Sequence, residues 1–389
     1  MKIKIDPLKL ASDLIQIKSI TPNADKAIDL IISTLEPIGF TCKKLTFGEG
    51  KERVENLYAK YGDNKGPNLC FAGHVDVVPP GDENEWSCNP FSGKIENDML
   101  FGRGSVDMKS SIASFIASTS EFLNDKKNFN NFGSISFLIT GDEEGKAING
   151  TKKVVEWLES NNEKIDGCIV GEPTNPDRLG EMIKVGRRGS YSGKLTVYGV
   201  QGHVGYPHLA KNPINLLLEM IEPLTKINLD DGTTEFEPST IMITSIDVGN
   251  NSYNVIPNKV SLNFNIRFNT LHSKESITDM LKKHFEAFDV KFNFDHFCNA
   301  EPFYTNSDHL VSSMEKAINE VTKKSSIKST TGGTSDARFI KNICPVIEFG
   351  LVGKLMHKID EKVSTKDILD LTKIYYNFLN IFFKEHLID

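Results

Sequence analysis

The sequence predicts an α/β domain built on a mixed sheet, interrupted by a smaller inserted α+β domain of ferredoxin-like order, βαββαβ. Three observations predict it. Four apolar runs, 68–72, 135–140, 165–170 and 346–349, read as buried strands, and each runs into a glycine (Gly73, Gly141, Gly171, Gly350). Between the third and fourth runs the pattern changes to strand, helix, strand, strand, helix, strand. The length of 389 residues suits two to three domains, or one large domain with an insertion.

The elements follow in chain order. Residues 5–35 read as helix broken by a turn at 19–23. From about residue 68 the alternation of apolar run, turn and helix marks the α/β domain, with a helix over 108–124 directly after Asp107. In the insert, 193–200, 240–248, 259–268 and 290–294 read as strands. Residues 213–227 and 273–288 read as helices, the second opened by Ser273 with Glu275 and Ser276 in its first turn. The polar run 322–330 (TKKSSIKST) reads as a loop. These readings divide the chain into a domain of residues 1–184 and 299–389 and an inserted domain of residues 185–298.

Composition excludes several classes. With 45 Lys and Arg against 52 Asp and Glu, the net charge of −7 argues against a general nucleic-acid binder. It leaves room for a local basic pocket that takes an acidic small molecule. No apolar run is long enough to span a membrane, and the charged start MKIKIDPLKL does not read as a secretory leader. The six cysteines form no CxxC pair, which excludes zinc-finger and thioredoxin-type motifs and suits thiols in a reducing, cytoplasmic setting.

Beyond the carboxyl ends of strands in an open α/β sheet lie the ligand sites, and here those positions carry acids and histidines. His74 stands in GHVDVVPPG, with Asp76 two residues on. Asp107 stands in FGRGSVDMK, Glu143 and Glu144 in TGDEEG, Glu172 in VGEPT, and His357 after a longer loop. Singly, each has an ordinary reading: a turn histidine, a helix N-cap, a solvated acid pair. Together, two imidazoles and several carboxylates at one sheet edge suit zinc, cobalt or manganese rather than calcium. Two divalent ions are balanced by Asp107, Glu144, Glu172 and one hydroxide, with Glu143 left over as a base. Asp76 is spaced to hydrogen-bond the second nitrogen of His74.

These residues, in order along essentially the whole chain, resemble the dinuclear zinc aminoacylase and carboxypeptidase family. The matching segments include VQGHVGYPHLAKNP, NVIP, IRFN and TGGTSDARF. The resemblance implies a zinc-peptidase-like catalytic domain with an inserted dimerisation domain, and two zinc ions per subunit, with cobalt a possible substitute. It implies His74 and Glu172 on one ion, Glu144 and His357 on the other, and Asp107 bridging, followed by a cis peptide. Asp76 is then the residue that orients His74, and Glu143 the general acid/base. His203 is implied to reach the site from the partner subunit of a homodimer. VGRRGS, QGHVGYPHLA and GGTSDARF resemble more particularly the branch that acts on N-succinyl amino acids. For such an acidic substrate, Arg187, Asn254, Arg267, Gly333 and Thr334 are the candidate contacts. Arg338 is a weaker candidate. The metal set alone does not separate this branch from sibling deacetylases, aminoacylases and dipeptidases. A non-catalytic relative serving as a binding protein is disfavoured by the intact Glu143 and metal ligands. GxSxG, HExxH and Walker patterns are absent. His272, His284, His296, His309 and His386 have no company of ligands.

Overall fold

The computed structural model describes residues 3–63, 65–125 and 132–385. His386 lies outside the described residues. The chain forms two compact units. One comprises Met1–Val185, Thr305–Ser329 and Ser335–Asp389; the other comprises Gly186–Tyr304 and Thr330–Thr334.

The first unit opens with helices α1 (Pro7–Gln16) and α2 (Asp25–Leu35). Asp6 caps α1 by accepting from the amides of Leu8 and Lys9, and Pro7 sits where a helix needs no amide donor. The face Leu10, Ala11, Leu14 and Ile15 is buried, at the spacing of one helical stripe. The strands of this unit are β1 (Thr41–Phe47), β2 (Val54–Gly62), β3 (Asn68–His74), β4 (Ser134–Thr140), β5 (Gly167–Val170) and β6 (Met182–Lys184). The chain re-enters the unit for β11 (Ile327–Ser329) and β12 (Val346–Glu348). They form one mixed sheet in the order β1-β2-β4-β3-β5-β12-β6-β11. The central strands β4, β3, β5 and β12 are mutually parallel. Every residue of β3, β4 and β5 is buried, which is why these strands read as unbroken apolar runs rather than as alternation.

Helices α3 (Lys109–Asp125), α4 (Thr151–Ser160), α7 (Asp308–Thr322) and α8 (Thr365–Glu385) complete the unit. The α3 helix packs on α1 and α8. Its side chains from Lys109 to Ser120 are all buried, and six of them are Ser or Thr. Ser114 donates to the carbonyl of Ile368 and Ser118 to that of Phe115. Phe71, Phe115, Phe137 and Tyr375 stack between sheet and helices with ring centroids 4.4–6.1 Å apart.

The second unit holds β7 (Gly189–Tyr198), α5 (Pro213–Lys226), β8 (Thr240–Asp247), β9 (Lys259–Phe268), α6 (Lys274–Glu286) and β10 (Phe292–Ala300). Its antiparallel sheet runs β8-β9-β7-β10, the strand order of the ferredoxin-like arrangement. Ser273 and Ser276 form a reciprocal capping box on α6, a motif that contributes about 1 kcal/mol. Leu217, Met220 and Leu224 of α5 and Ile277, Leu281 and Phe285 of α6 close the core over Leu195, Leu262 and Phe264.

Three local expectations are corrected. The strand read over 68–72 continues through Gly73 and ends on His74 itself. The strand read over 290–294 spans Phe292–Ala300, whose residues alternate between half-buried and exposed and so give no apolar run. Part of the loop read over 322–330 is instead β11, pairing parallel with β6 at the sheet edge. An edge strand buries little, so its sequence stays polar.

Candidate metal centre

Strands β3, β4 and β5 are adjacent and parallel, so their carboxyl ends open on one edge. His74 is the last residue of β3. Glu143 and Glu144 follow β4 after Gly141 and Asp142, and Glu172 follows β5 after Gly171. Glycine is required at two of these positions by close approach. A Cβ on Gly171 would meet Phe71 at 2.5 Å, and one on Gly350 would meet the carbonyl oxygens of Gly171 and Glu172 at 2.4 Å. The loop bearing Glu172 therefore lies directly on the chain that leaves β12. Asp107 precedes α3, and the Asp107–Met108 peptide is cis. His357 adopts a left-handed φ of 60°.

The fold gathers all five expected metal ligands. His74 Nε2 lies 3.1 Å from Asp107 Oδ1 and 3.7 Å from Glu172 Oε1. His357 Nε2 lies 2.7 Å from Glu144 Oε1 and 3.3 Å from Asp107 Oδ2. Asp107 thus faces one imidazole with each oxygen. Two sets, His74 with Glu143 and Glu172, and His74 with Asp107 and Glu144, each bring their ligand atoms within 4.8 Å of one another. These residues could hold a pair of metal ions. Glu143 is close enough to belong to one set, beside its expected role as a base.

The electrostatics fit a bound cation. Burial, then Asp107, hold the Glu172 carboxyl well above its ordinary range. Burial pushes the Glu143 carboxyl up to about 8, against the pull of His74. Burial disfavours a charge on His74, yet the Asp107 carboxylate, with Glu172 and Glu143, holds its imidazole well above the usual value. Hydrogen bonds to Asp107 and Glu144 push His357 up to about 10. Asp107 is itself buried, but His357 and His74 hold it below the ordinary range. Four ionised carboxylates around two neutral imidazoles would hold a surplus of negative charge away from water, which a cation would offset; without one, the same surplus drives the Glu143 and Glu172 carboxyls and both imidazoles towards their protonated forms.

The expected contact of Asp76 with His74 is corrected in its atoms. His74 Nδ1 donates to the backbone carbonyl of Asp76 at 2.9 Å, while the nearer carboxylate oxygen stands 3.8 Å away. In the neutral ring this main-chain contact places the proton on Nδ1 and leaves Nε2 free to take a metal ion. The Asp76 carboxylate instead accepts from the amides of Glu143 and Glu144, at 3.3 and 3.1 Å. Asp142, the third acid of TGDEEG, was not singled out by sequence. It accepts from the amides of Lys146, Ile148 and Asn149 and closes the same loop. An aspartate at the start of a turn is the local signal for that task.

Of the remaining expected site residues, Arg187, His203, Asn254, Arg267, Gly333 and Thr334 belong to the second unit and Arg338 to the first. His203 pairs with Val255 and is exposed. Its Nδ1 accepts from the Gly205 amide at 2.9 Å, which makes Nε2 the protonated nitrogen of the neutral ring. Asn254 is next to this pairing, its carbonyl accepting from the Val204 amide. Arg187 donates to the carbonyl of Thr331 at 3.2 Å and packs on Gly332, so it also shapes the loop that carries Gly333 and Thr334. Arg267 has a buried Nη1 with no hydrogen-bond partner among the described residues. Burial, and then Arg188, lower its affinity for its own proton. Among the other histidines, His272 contacts Asp230 at 3.1 Å and His284 the Met220 carbonyl at 2.7 Å. His296 stacks on Tyr191 and Phe294, and His309 packs on Phe382.

Residues 70–381 match the model of peptidase family M20/M25/M40. The chain belongs to that family. This M20 chain is 51% identical over 379 residues, 97% of each chain, to a protein from Rhodospirillum centenum named succinyl-diaminopimelate desuccinylase. It is 48% identical over 381 residues to one of the same name from Pelagibacter ubique, covering 97% of this chain and 98% of that one. Its fold is shared with an M20 metallo-carboxypeptidase from Sulfolobus solfataricus (TM-score 0.76, 20% identity, 97% and 99% of the two chains). It is shared also with a dinuclear metal-binding M20 peptidase from Bacillus subtilis (TM-score 0.69, 15% identity, 98% of each chain). No described helix of the M20 chain is long and apolar enough to cross a membrane.

Proposed function

We propose that the chain hydrolyses N-succinyl-LL-2,6-diaminopimelate to succinate and LL-2,6-diaminopimelate, a step of diaminopimelate and lysine biosynthesis, in the cytoplasm. The observation that carries the reading is the near-half identity, over the full length, to chains named for that reaction. The intact cluster of His74, Asp107, Glu143, Glu144, Glu172 and His357 supports it. Six free cysteines suit the compartment. Two zinc ions are the proposed cofactors, cobalt a substitute, with His74 and Glu172 at one position, Glu144 and His357 at the other, and Asp107 shared.

When bound, the metal pair supplies Lewis acidity that polarises the amide carbonyl and lowers the pKa of water towards about 7. Glu143 takes the proton from the attacking water at a carboxylate oxygen and later delivers it to the leaving amine nitrogen. A carboxyl that burial already drives upward is suited to holding that proton between the two transfers. Asp76 keeps Glu143 and Glu144 in place through their amides. His203, lent by a second copy of the chain, donates from Nε2 to the oxyanion; the acceptor role of its Nδ1 supports this polarity. The homodimer is further supported by β8, an edge strand with Met242, Ile243 and Ile246 exposed. The three carboxylates of the substrate are assigned to Arg187, Arg267, Asn254 and the Gly333–Thr334 backbone and hydroxyl. The unpartnered Arg267 N–H supports its share.

The test is succinate release from N-succinyl-LL-2,6-diaminopimelate beside acetate release from N-acetylornithine, with and without added zinc. Zinc-dependent turnover of the succinyl substrate is expected. Preference for the acetyl substrate would refute the assignment.

A further inference from the structure

Two side chains outside the ligand set join its loops. Glu361 is fully buried, and Arg103 is only 2% exposed. Glu361 Oε1 accepts from the amides of Gly104, Val106 and Asp107 at 3.1, 2.9 and 3.3 Å. Its Oε2 accepts from Arg103 Nη1 at 2.6 Å. Arg103 in turn donates to the carbonyls of Lys358 at 3.2 Å and His357 at 3.4 Å, while its guanidinium lies over the Trp86 ring. One carboxylate therefore holds the main chain that ends at Asp107. One guanidinium holds the main chain on either side of the His357–Lys358 peptide, where the histidine has its left-handed φ. Lys362–Ser364 pairs with Met99–Phe101 just beyond, so the two segments are zipped up to the clamp.

We propose that Arg103 and Glu361 are positioning residues that set His357 against Asp107, and thereby fix the affinity of the metal position shared by Glu144, His357 and Asp107. The inference rests on the metal-pair reading above. The two charges cancel within the clamp, so it orients the ligands without adding to the charge of the site. Arg103 is suited to the task because its planar fork reaches a carboxylate and two carbonyls at once, which a lysine ammonium on a flexible stem does not.

The test uses the full-length protein stripped of metal, titrated with Co²⁺ and followed by calorimetry and visible absorption, with apo-protein melting recorded in parallel. In Arg103→Lys, one of the two dissociation constants should rise about tenfold to a hundredfold while the other stays within about threefold. Apo melting should change little by comparison, because a purely structural contact would lower the melting point without splitting the two constants. Glu361→Gln, which turns an amide donor on the Arg103 fork, should show the same split and serves if Arg103→Lys does not fold. Two unchanged constants in a folded variant, or two constants weakened in parallel with a lower melting point, overturn the clamp. A wild-type chain that binds only one ion overturns the metal-pair reading instead.

Discussion

Replacing Asp76 by Asn separates two accounts of what this buried acid does. If the carboxylate oriented His74, the substitution would cost metal. In the structure the His74 ring is held by the Asp76 carbonyl, which Asn retains, and the carboxylate accepts from the amides of Glu143 and Glu144. Asn keeps one acceptor and turns an NH₂ donor towards the other amide. The loss is one hydrogen bond to a charged acceptor, about 1.5–3 kcal/mol. Felt wholly in the placement of Glu143 at the transition state, that is about tenfold to a hundredfold in kcat/KM. Stability should move less. Burial pushes the Asp76 carboxyl up to about 6, so removing a charge disfavoured by burial offsets part of the lost bond. The assay is steady-state succinate release, with metal content by plasma emission and melting by circular dichroism. A variant that melts like wild type but has lost one ion per chain would refute the reasoning, and so would full turnover.

Glu143→Gln should retain its metal and lose turnover by about a hundredfold to ten-thousandfold, the usual share of a general base; wild-type rates in a metal-loaded sample would remove Glu143 from that role. His203→Ala should lower kcat with metal content and apo melting unchanged, and mixing it with a Glu143→Gln chain should restore part of the activity if the two residues serve one site from different copies. Lys109 is fully buried, donates to the carbonyls of Leu14 and Ile17, and is pushed down to about 7 by burial. Its folded pKa lies below its unfolded one, so the unfolded chain binds the extra proton and stability should rise with pH between about 7 and 10.5. The slope from this group alone is at most about 1.4 kcal/mol per pH unit. Urea unfolding of the apo protein from pH 7.5 to 9.5 should show a shallower slope in Lys109→Met, and equal slopes would contradict the buried neutral amine.

The parallel core was legible because β3, β4 and β5 bury both faces and so appear as apolar runs, each leading into a ligand. The helix starts at Pro213 and Ser273 were legible because capping and proline chemistry are local, whereas the first helix, read from residue 5, starts at Pro7 behind its Asp6 cap. What stayed hidden depends on direction or on distance along the chain. Spacing placed Asp76 near His74 but could not say that its carbonyl would turn to the ring and its carboxylate to the next loop. Arg103 and Glu361 stand 258 positions apart, and no local pattern couples them. The polar strand β11 was invisible because its stability comes from pairing with β6 rather than from burial.

The order of the ligands along the chain has a consequence for biogenesis. His74, Asp107, Glu143, Glu144 and Glu172 all leave the ribosome before the second unit is made, whereas His357 follows it. At roughly 5–20 residues per second, the stretch from Glu172 to His357 takes on the order of ten to forty seconds to synthesise. On the proposed ligand assignment, during that interval the chain carries the side chains of one metal position and lacks the histidine of the other. On the proposed assignment the pair becomes possible only when the last tenth of the polypeptide arrives, and with it Glu361, which holds the main chain at Asp107.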